Sequence, residues 1–155
     1  MDIQQKLRTM KMTANLSTLW IFVFLNVIFR DIHEFFRPGF LEEIMTGTVN
    51  GAQMTEGMLL VAGILLEIPI AMVILSRVLD YRLNRWANVI VPALTVGFIF
   101  SNGVTDLDDI FFTTVEAATL ALIAWTAWRW PNPAQEAANS QQIGLERRQQ
   151  GAQQR

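Results

Sequence analysis

Between Leu16 and Trp130 the chain carries four apolar runs, at about 16–36, 57–79, 83–101 and 109–130. A helix needs ~20 mostly apolar residues to cross the hydrocarbon core of a bilayer, and each run is close to that length. Surface helices of a soluble bundle are apolar on one side only. Four runs this dense leave too few polar faces for that arrangement. The predicted fold class is all-α, a four-transmembrane-helix bundle. Residues 1–15 are a polar tail before the bundle, 16–131 the membrane domain, and 132–155 a polar tail after it. The second tail begins Trp130-Pro131-Asn132-Pro133, which stops the fourth helix, and is then rich in Gln and Ala. With little to bury, it is expected to be disordered or a frayed helix.

The 155 residues suit one domain. Only 17% are charged, against about 25% in an ordinary soluble domain. There is no cysteine, so disulfides, thiolate nucleophiles and cysteine–zinc sites are excluded. His33 is the single histidine, which excludes a multi-histidine metal centre. No cofactor is expected. A net charge of −2 offers no broad basic field, so nucleic acid is not an expected partner; the lipid bilayer is.

Charge placement sets the orientation. Lys6, Arg8 and Lys11 precede the first run, Arg77, Arg82 and Arg85 lie about the second connection, and Arg129, Arg147, Arg148 and Arg155 follow the fourth run. With four crossings all of these fall on one side. The other side has Glu42, Glu43, Glu56, Asp106, Asp108 and Asp109, with Arg37 as its basic residue. The positive-inside rule then places both termini in the cytoplasm. Trp20, Trp86, Trp125, Trp128, Trp130 and Tyr81 map to the cytoplasmic ends of their helices, where a half-buried ring suits the headgroup level. A basic start before an apolar run also fits a signal peptide. No small-x-small cleavage site follows promptly, so the first span is expected to stay uncleaved.

The loop from Arg37 to Glu56 is the longest connection, opened by Pro38-Gly39. Phe40, Leu41, Ile44 and Met45 make it either a short amphipathic turn on the outer leaflet or an ordinary connection. Ala93, Gly97 and Ser101 put a small residue every four along the third run, with Ala117 and Ala121 on the fourth. That spacing lets helix backbones approach closely. Packing inside one bundle is the favoured use, a seam between copies the other.

Ionisable residues inside a bilayer are costly and by default functional. Asn26, Arg30, Asp31, His33 and Glu34 lie on the first run, with Asp31 ~22 Å along the axis from Leu16, so the group reaches the outer leaflet. Asn26, Arg30 and His33 or Glu34 share a face by their spacing. Glu67 on the second run and Glu116 on the fourth are placed to meet that face. Pro69 removes its own donor and frees the Leu65 carbonyl beside Glu67. Asn26, Arg30, Asp31, His33, Glu34, Glu67 and Glu116 are therefore the candidate walls of a polar pocket in the outer half. The alternative is structural: Arg30 pairs with Glu34, or across the bundle with Glu67 or Glu116. His33-Glu34 lacks the second histidine of a zinc-protease motif, because residue 37 is Arg. The acidic residues Asp106, Asp108 and Asp109 lack the rest of a calcium loop and are better read as helix capping and outside charge.

The segments STLWIFV (17–23), FRPGFLEEIMTG (36–47), LLEIPIAMVILSRVLDYRLNRWAN (65–88) and AWRWPNP (127–133) resemble an uncharacterised family of small four-helix bacterial integral membrane proteins, catalogued as a domain of unknown function. The resemblance covers about Leu16 to Pro133. It implies a bacterial plasma-membrane location and four helices. It implies no activity and carries over no site residue.

The function expected from the residues is the binding or translocation of a small hydrophobic or amphipathic molecule through the polar pocket, without catalysis. Four helices are few for a carrier, so transport would call for a homo-oligomer. A membrane-embedded acid–base enzyme acting on a lipid-soluble substrate is one alternative, although no nucleophile–base–orienter set is recognisable. An accessory subunit of a membrane complex is the other.

Overall fold

A computed structural model describes residues 3–49, 51–101 and 107–153. Asp106 and Arg155 lie outside the described residues. The first helix, α1, runs unbroken from Ile3 to Glu34. Nothing between Ile3 and Leu16 breaks a helix, so the basic segment expected as a separate tail continues the first span. Its 32 residues extend about 48 Å, well beyond the ~30 Å hydrocarbon core. The excess carries Lys6, Arg8 and Lys11 clear of the apolar part.

The chain leaves α1 through Phe35–Pro38 and turns at Gly39, whose φ of 85° is a left-handed conformation that other residues resist. A single short helix follows, α2 (Phe40–Met45). A small antiparallel hairpin comes next, β1 (Thr48–Val49) against β2 (Ala52–Gln53), with Thr48 opposite Gln53 and Val49 opposite Ala52. The sequence Asn50-Gly51 is a strong hairpin signal, and Gly51 has a φ of 78°. The hairpin is an addition to the plain loop expected here.

Thr55 caps α3 (Glu56–Val78), its Oγ1 accepting from the Met58 N–H at 3.2 Å. Helices α4 (Tyr81–Ser101) and α5 (Leu107–Trp128) follow. Asp108 and Asp109 sit in the first turn of α5, where the helix dipole favours negative charge. The polar C-terminal segment, expected to be disordered or a frayed helix, is helix α6 (Pro133–Gln153). Its low hydrophobicity leaves it little to bury. Ala, Gln, Glu and Arg are strong helix formers, however, and Asn132 Oδ1 accepts from the Ala134 N–H to start the helix.

Helix α1 packs against both α3 and α5, α4 lies along α5, and α3 touches α4 far less. The core joins Leu16, Trp20 and Val23 of α1 to Met72 of α3, Ile99 of α4, and Leu120 and Ile123 of α5. Large apolar side chains such as Leu60, Ile64, Leu94, Phe111 and Leu122 are exposed. Among the described residues three helices are long and apolar enough to cross a membrane: α1, α3 and α5. Their exposed apolar surface is what lipid would cover. The third expected span lies in α4, which has comparable length, but Arg82, Asn84, Arg85 and Asn88 dilute its first turns.

The inward face of α4 runs through Asn84, Asn88, Pro92 and Ile99, all buried. That rotation turns Ala93 and Gly97 outward, and a Cβ added at Gly97 would meet nothing within 4 Å. The small-residue stripe therefore does not pack inside this bundle as expected. The aromatic belt also divides. Trp86, Trp125 and Trp128 are exposed, whereas Trp20 and Trp130 are buried. Arg129 stacks over Trp125 at 4.3 Å and Arg85 over Trp128 at 5.7 Å.

Candidate functional site

Because α3 and α4 meet so sparingly, a cleft of about 310 Å³ opens between them, with α1 as its floor. Val27, Arg30 and Asp31 line it from α1. Ala62, Gly63, Leu65, Leu66 and Pro69 line it from α3. Thr95, Phe98 and Ile99 close it from α4. Most of this wall is apolar, and its ionisable side chains are Arg30 and Asp31. Two further polar groups accompany them. Pro69 has no N–H to give, so the Leu65 carbonyl lacks its helical donor. The Thr95 hydroxyl donates to the Val91 carbonyl at 2.9 Å.

Arg30 is fixed from behind. Its Nη1 donates to Glu116 Oε2 on α5 at 2.8 Å. Glu116 is wholly buried, and its Oε1 has no hydrogen-bond partner among the described residues. Asp109, two turns before Glu116 on α5, and Asp31 on α1 are electrostatically coupled to this pair. Arg30 therefore joins the cleft wall, which it shares with Asp31, to the α1–α5 contact, where it pairs with Glu116.

The other candidates are placed elsewhere. Asn26 Nδ2 donates to the Phe22 carbonyl of its own helix at 3.0 Å. His33 is exposed, its ring centroid 5.3 Å from that of Phe112 and 6.2 Å from that of Phe36. Glu34 pairs with Arg37 at 3.1 Å, and Arg37 also approaches Glu43 at 3.9 Å. Glu67 is exposed and outside the cleft lining. Of the seven candidates the fold thus gathers Arg30, Asp31 and Glu116 about one place.

A second polar cluster, at the end of the bundle nearer Leu16 and Tyr81, was not among the residues expected to form a site. Trp20 Nε1 donates to Asn88 Oδ1 at 2.7 Å, and Ser76 Oγ donates to the same oxygen at 3.2 Å. Asn88 Nδ2 donates to Asn84 Oδ1 at 2.6 Å, and Asn84 Nδ2 to the Ser76 carbonyl at 2.7 Å. Ser17 Oγ donates to the Val73 carbonyl at 2.8 Å and accepts from Arg77 Nε at 3.0 Å. Ser17, Trp20, Ser76, Asn84 and Asn88 have no exposed surface. A buried network with every member partnered specifies one packing of α1, α3 and α4. The signal that could have found it is Asn84 and Asn88 one turn apart at the edge of an apolar run. At the same end Tyr81 donates to the Trp130 carbonyl at 2.9 Å and Arg85 to the Trp128 carbonyl at 2.9 Å, which caps the end of α5.

The half of the bundle around Ser17, Ser76 and Asn88 is therefore locked by hydrogen bonds, and the other half holds an open cleft with one anchored ion group. The bundle can take in a small molecule between α3 and α4 without unmaking its core. No curated protein and no solved structure matches the chain. A family model matches it over residues 6–137, from the basic turns of α1 to the first turns of α6, and the chain accordingly belongs to the family of unknown function DUF6326.

Proposed function

We propose that this chain is a bacterial plasma-membrane protein that binds, and as an oligomer moves, a small hydrophobic or amphipathic molecule in the cleft between α1, α3 and α4. The observation that carries the reading is the cleft itself. It is an apolar wall of about 310 Å³ with one anchored charge pair at its floor. Binding sites for small molecules are of this kind, mostly apolar with a few placed polar groups. An amphipathic molecule would lay its apolar part on Ala62, Leu66 and Phe98 and its polar end near Arg30 and Asp31.

The reading takes α4 as a fourth crossing, with both termini in the cytoplasm. Its 21 residues extend about 31 Å, enough for the ~30 Å core. Arg82 and Arg85 stand at its cytoplasmic end, where long side chains can reach the interface. The exposed tryptophans Trp86, Trp125 and Trp128 would sit at that same level.

Native mass spectrometry from a mild detergent tests the cleft. The wild type should retain a discrete non-detergent mass. Gly63→Phe should lose it, because a Cβ at Gly63 meets nothing within 4 Å and the ring fills the cleft from α3. A wild type that retains no mass, or a Gly63→Phe variant that keeps the same one, removes support for a ligand in this cleft.

A further inference from the structure

The charge around the cleft is one-sided. Between Lys11 and Arg77 the sequence has Arg30 and Arg37 as its only lysines or arginines, and between Arg85 and Arg129 it has none. Both arginines are already committed. Arg30 gives its charge to Glu116 at 2.8 Å, and Arg37 stands between Glu34 at 3.1 Å and Glu43 at 3.9 Å. The same stretches also contain Asp31, Glu42, Glu56, Glu67, Asp106, Asp108 and Asp109. An anion entering the cleft finds no uncommitted cation. It meets Asp31 on the wall, beside the committed Arg30. A cation meets the same carboxylate with the opposite sign. Charge in a partly water-excluded cleft acts more strongly than on an open surface.

Resting on the cleft reading above, the geometry points to a ligand of one chemical class, a lipophilic cation: an apolar body against Leu66, Phe98 and Ile99 with its positive centre beside Asp31. Arg30 attracts both Asp31 and Glu116, so its one positive charge is shared between two carboxylates. The cleft is wide enough for a bulky apolar group, and its polar edge has one carboxylate in reach of a single charge.

The test uses the full-length protein in an uncharged detergent and two ions of nearly equal size and opposite charge, tetraphenylphosphonium and tetraphenylborate. Equilibrium dialysis should show saturable binding of the phosphonium and none of the borate. Asp31→Asn should weaken phosphonium binding roughly tenfold or more, since it removes the facing charge at short range. Asp31→Glu should retain it, and Gly63→Phe should abolish it. Asp31 is exposed, so both variants at that position are expected to elute from size exclusion as the wild type does. Borate binding alone, or equal binding of both ions unchanged by Asp31→Asn, overturns cation selection and leaves the cleft reading standing. Phosphonium binding that survives Gly63→Phe places the cation elsewhere and overturns the inference. If neither ion binds, the inference fails, and the retained-mass comparison judges the cleft separately.

Discussion

Nη1 of Arg30 donates to Oε2 of Glu116 at 2.8 Å across the α1–α5 contact, and the carboxylate that receives it has no exposed surface. The two ends of this pair are unequal. The Arg30 side chain keeps 21% of its surface and lies on the cleft wall, so it has an outlet if its partner is lost. Glu116 has none. Breaking a buried pair from one side leaves an uncompensated charge and costs about 3–5 kcal/mol, whereas replacing both ends by apolar groups is often neutral. Arg30→Met should therefore destabilise the protein by that amount, and Glu116→Gln by less, about 1–3 kcal/mol. The double variant Arg30→Met/Glu116→Leu should recover most of the loss. Thermal unfolding in detergent, read as a double-mutant cycle, checks this. Equal losses from both single variants with no recovery in the double would mean that the pair is not what holds α1 to α5 here.

The Asn88 amide links three helices through Trp20, Ser76 and Asn84. Interhelical hydrogen bonds in membrane proteins average ~0.6 kcal/mol. Asn88→Leu strands the Trp20 N–H and two other buried groups, so its cost should lie above that average, at about 1–3 kcal/mol. Asn26→Leu removes only a bond to its own helix and should stay within about 0.5 kcal/mol of the wild type. The order of the two melting temperatures is the measurement, with Asn88→Leu expected well below Asn26→Leu.

How far these residues were legible in the sequence follows from what spacing encodes. The 3.6-residue period told which residues share a face of one helix, and a run of ~20 apolar residues told that it is a helix. Arg30 and Glu116 could be named as possible partners because both are ionisable and at similar depth. Glu34 and Glu67 met the same conditions, and only the rotation of α3 and the reach of Arg37 exclude them. Rotation is a property of neighbours, and no single helix carries it. The same gap explains Ala93 and Gly97. Their spacing suits close packing, but Asn84 and Asn88 claim the inward face because buried amides need partners. The hairpin at 48–53 is encoded by Asn50-Gly51, and the apolar residues before it, which set the amphipathic turn of α2, carry no signal for it.

Topology is directly measurable because the chain has no cysteine of its own. Gln53 lies exposed on β2 and Arg82 exposed in the first turn of α4. With four crossings, Gln53→Cys should react with a membrane-impermeant maleimide on intact cells. Arg82→Cys should react only after permeabilisation. Labelling of both in intact cells would remove α3 as a crossing that separates the two positions. Labelling of Arg82→Cys alone would invert the whole orientation.

Glu67 is exposed on α3, eleven residues from its start and so about 16 Å along its axis, near the middle of a ~30 Å core. An ionised side chain there is expensive to insert, ~2.5–3.5 kcal/mol on translocon scales. It lies outside the cleft lining, whereas Leu65, Leu66 and Pro69 on either side of it form the wall. Glu67→Leu should therefore leave the retained mass and phosphonium binding at wild-type level while raising insertion efficiency or thermal stability. Asp31→Asn should do the reverse, lowering binding with little effect on stability. This pairing separates a site defined by the cleft from one defined by any carboxylate at membrane depth. Loss of binding in Glu67→Leu with binding intact in Asp31→Asn would move the site to the outward face of α3. No element among the described residues covers that face, so the binding unit would then include a further polypeptide.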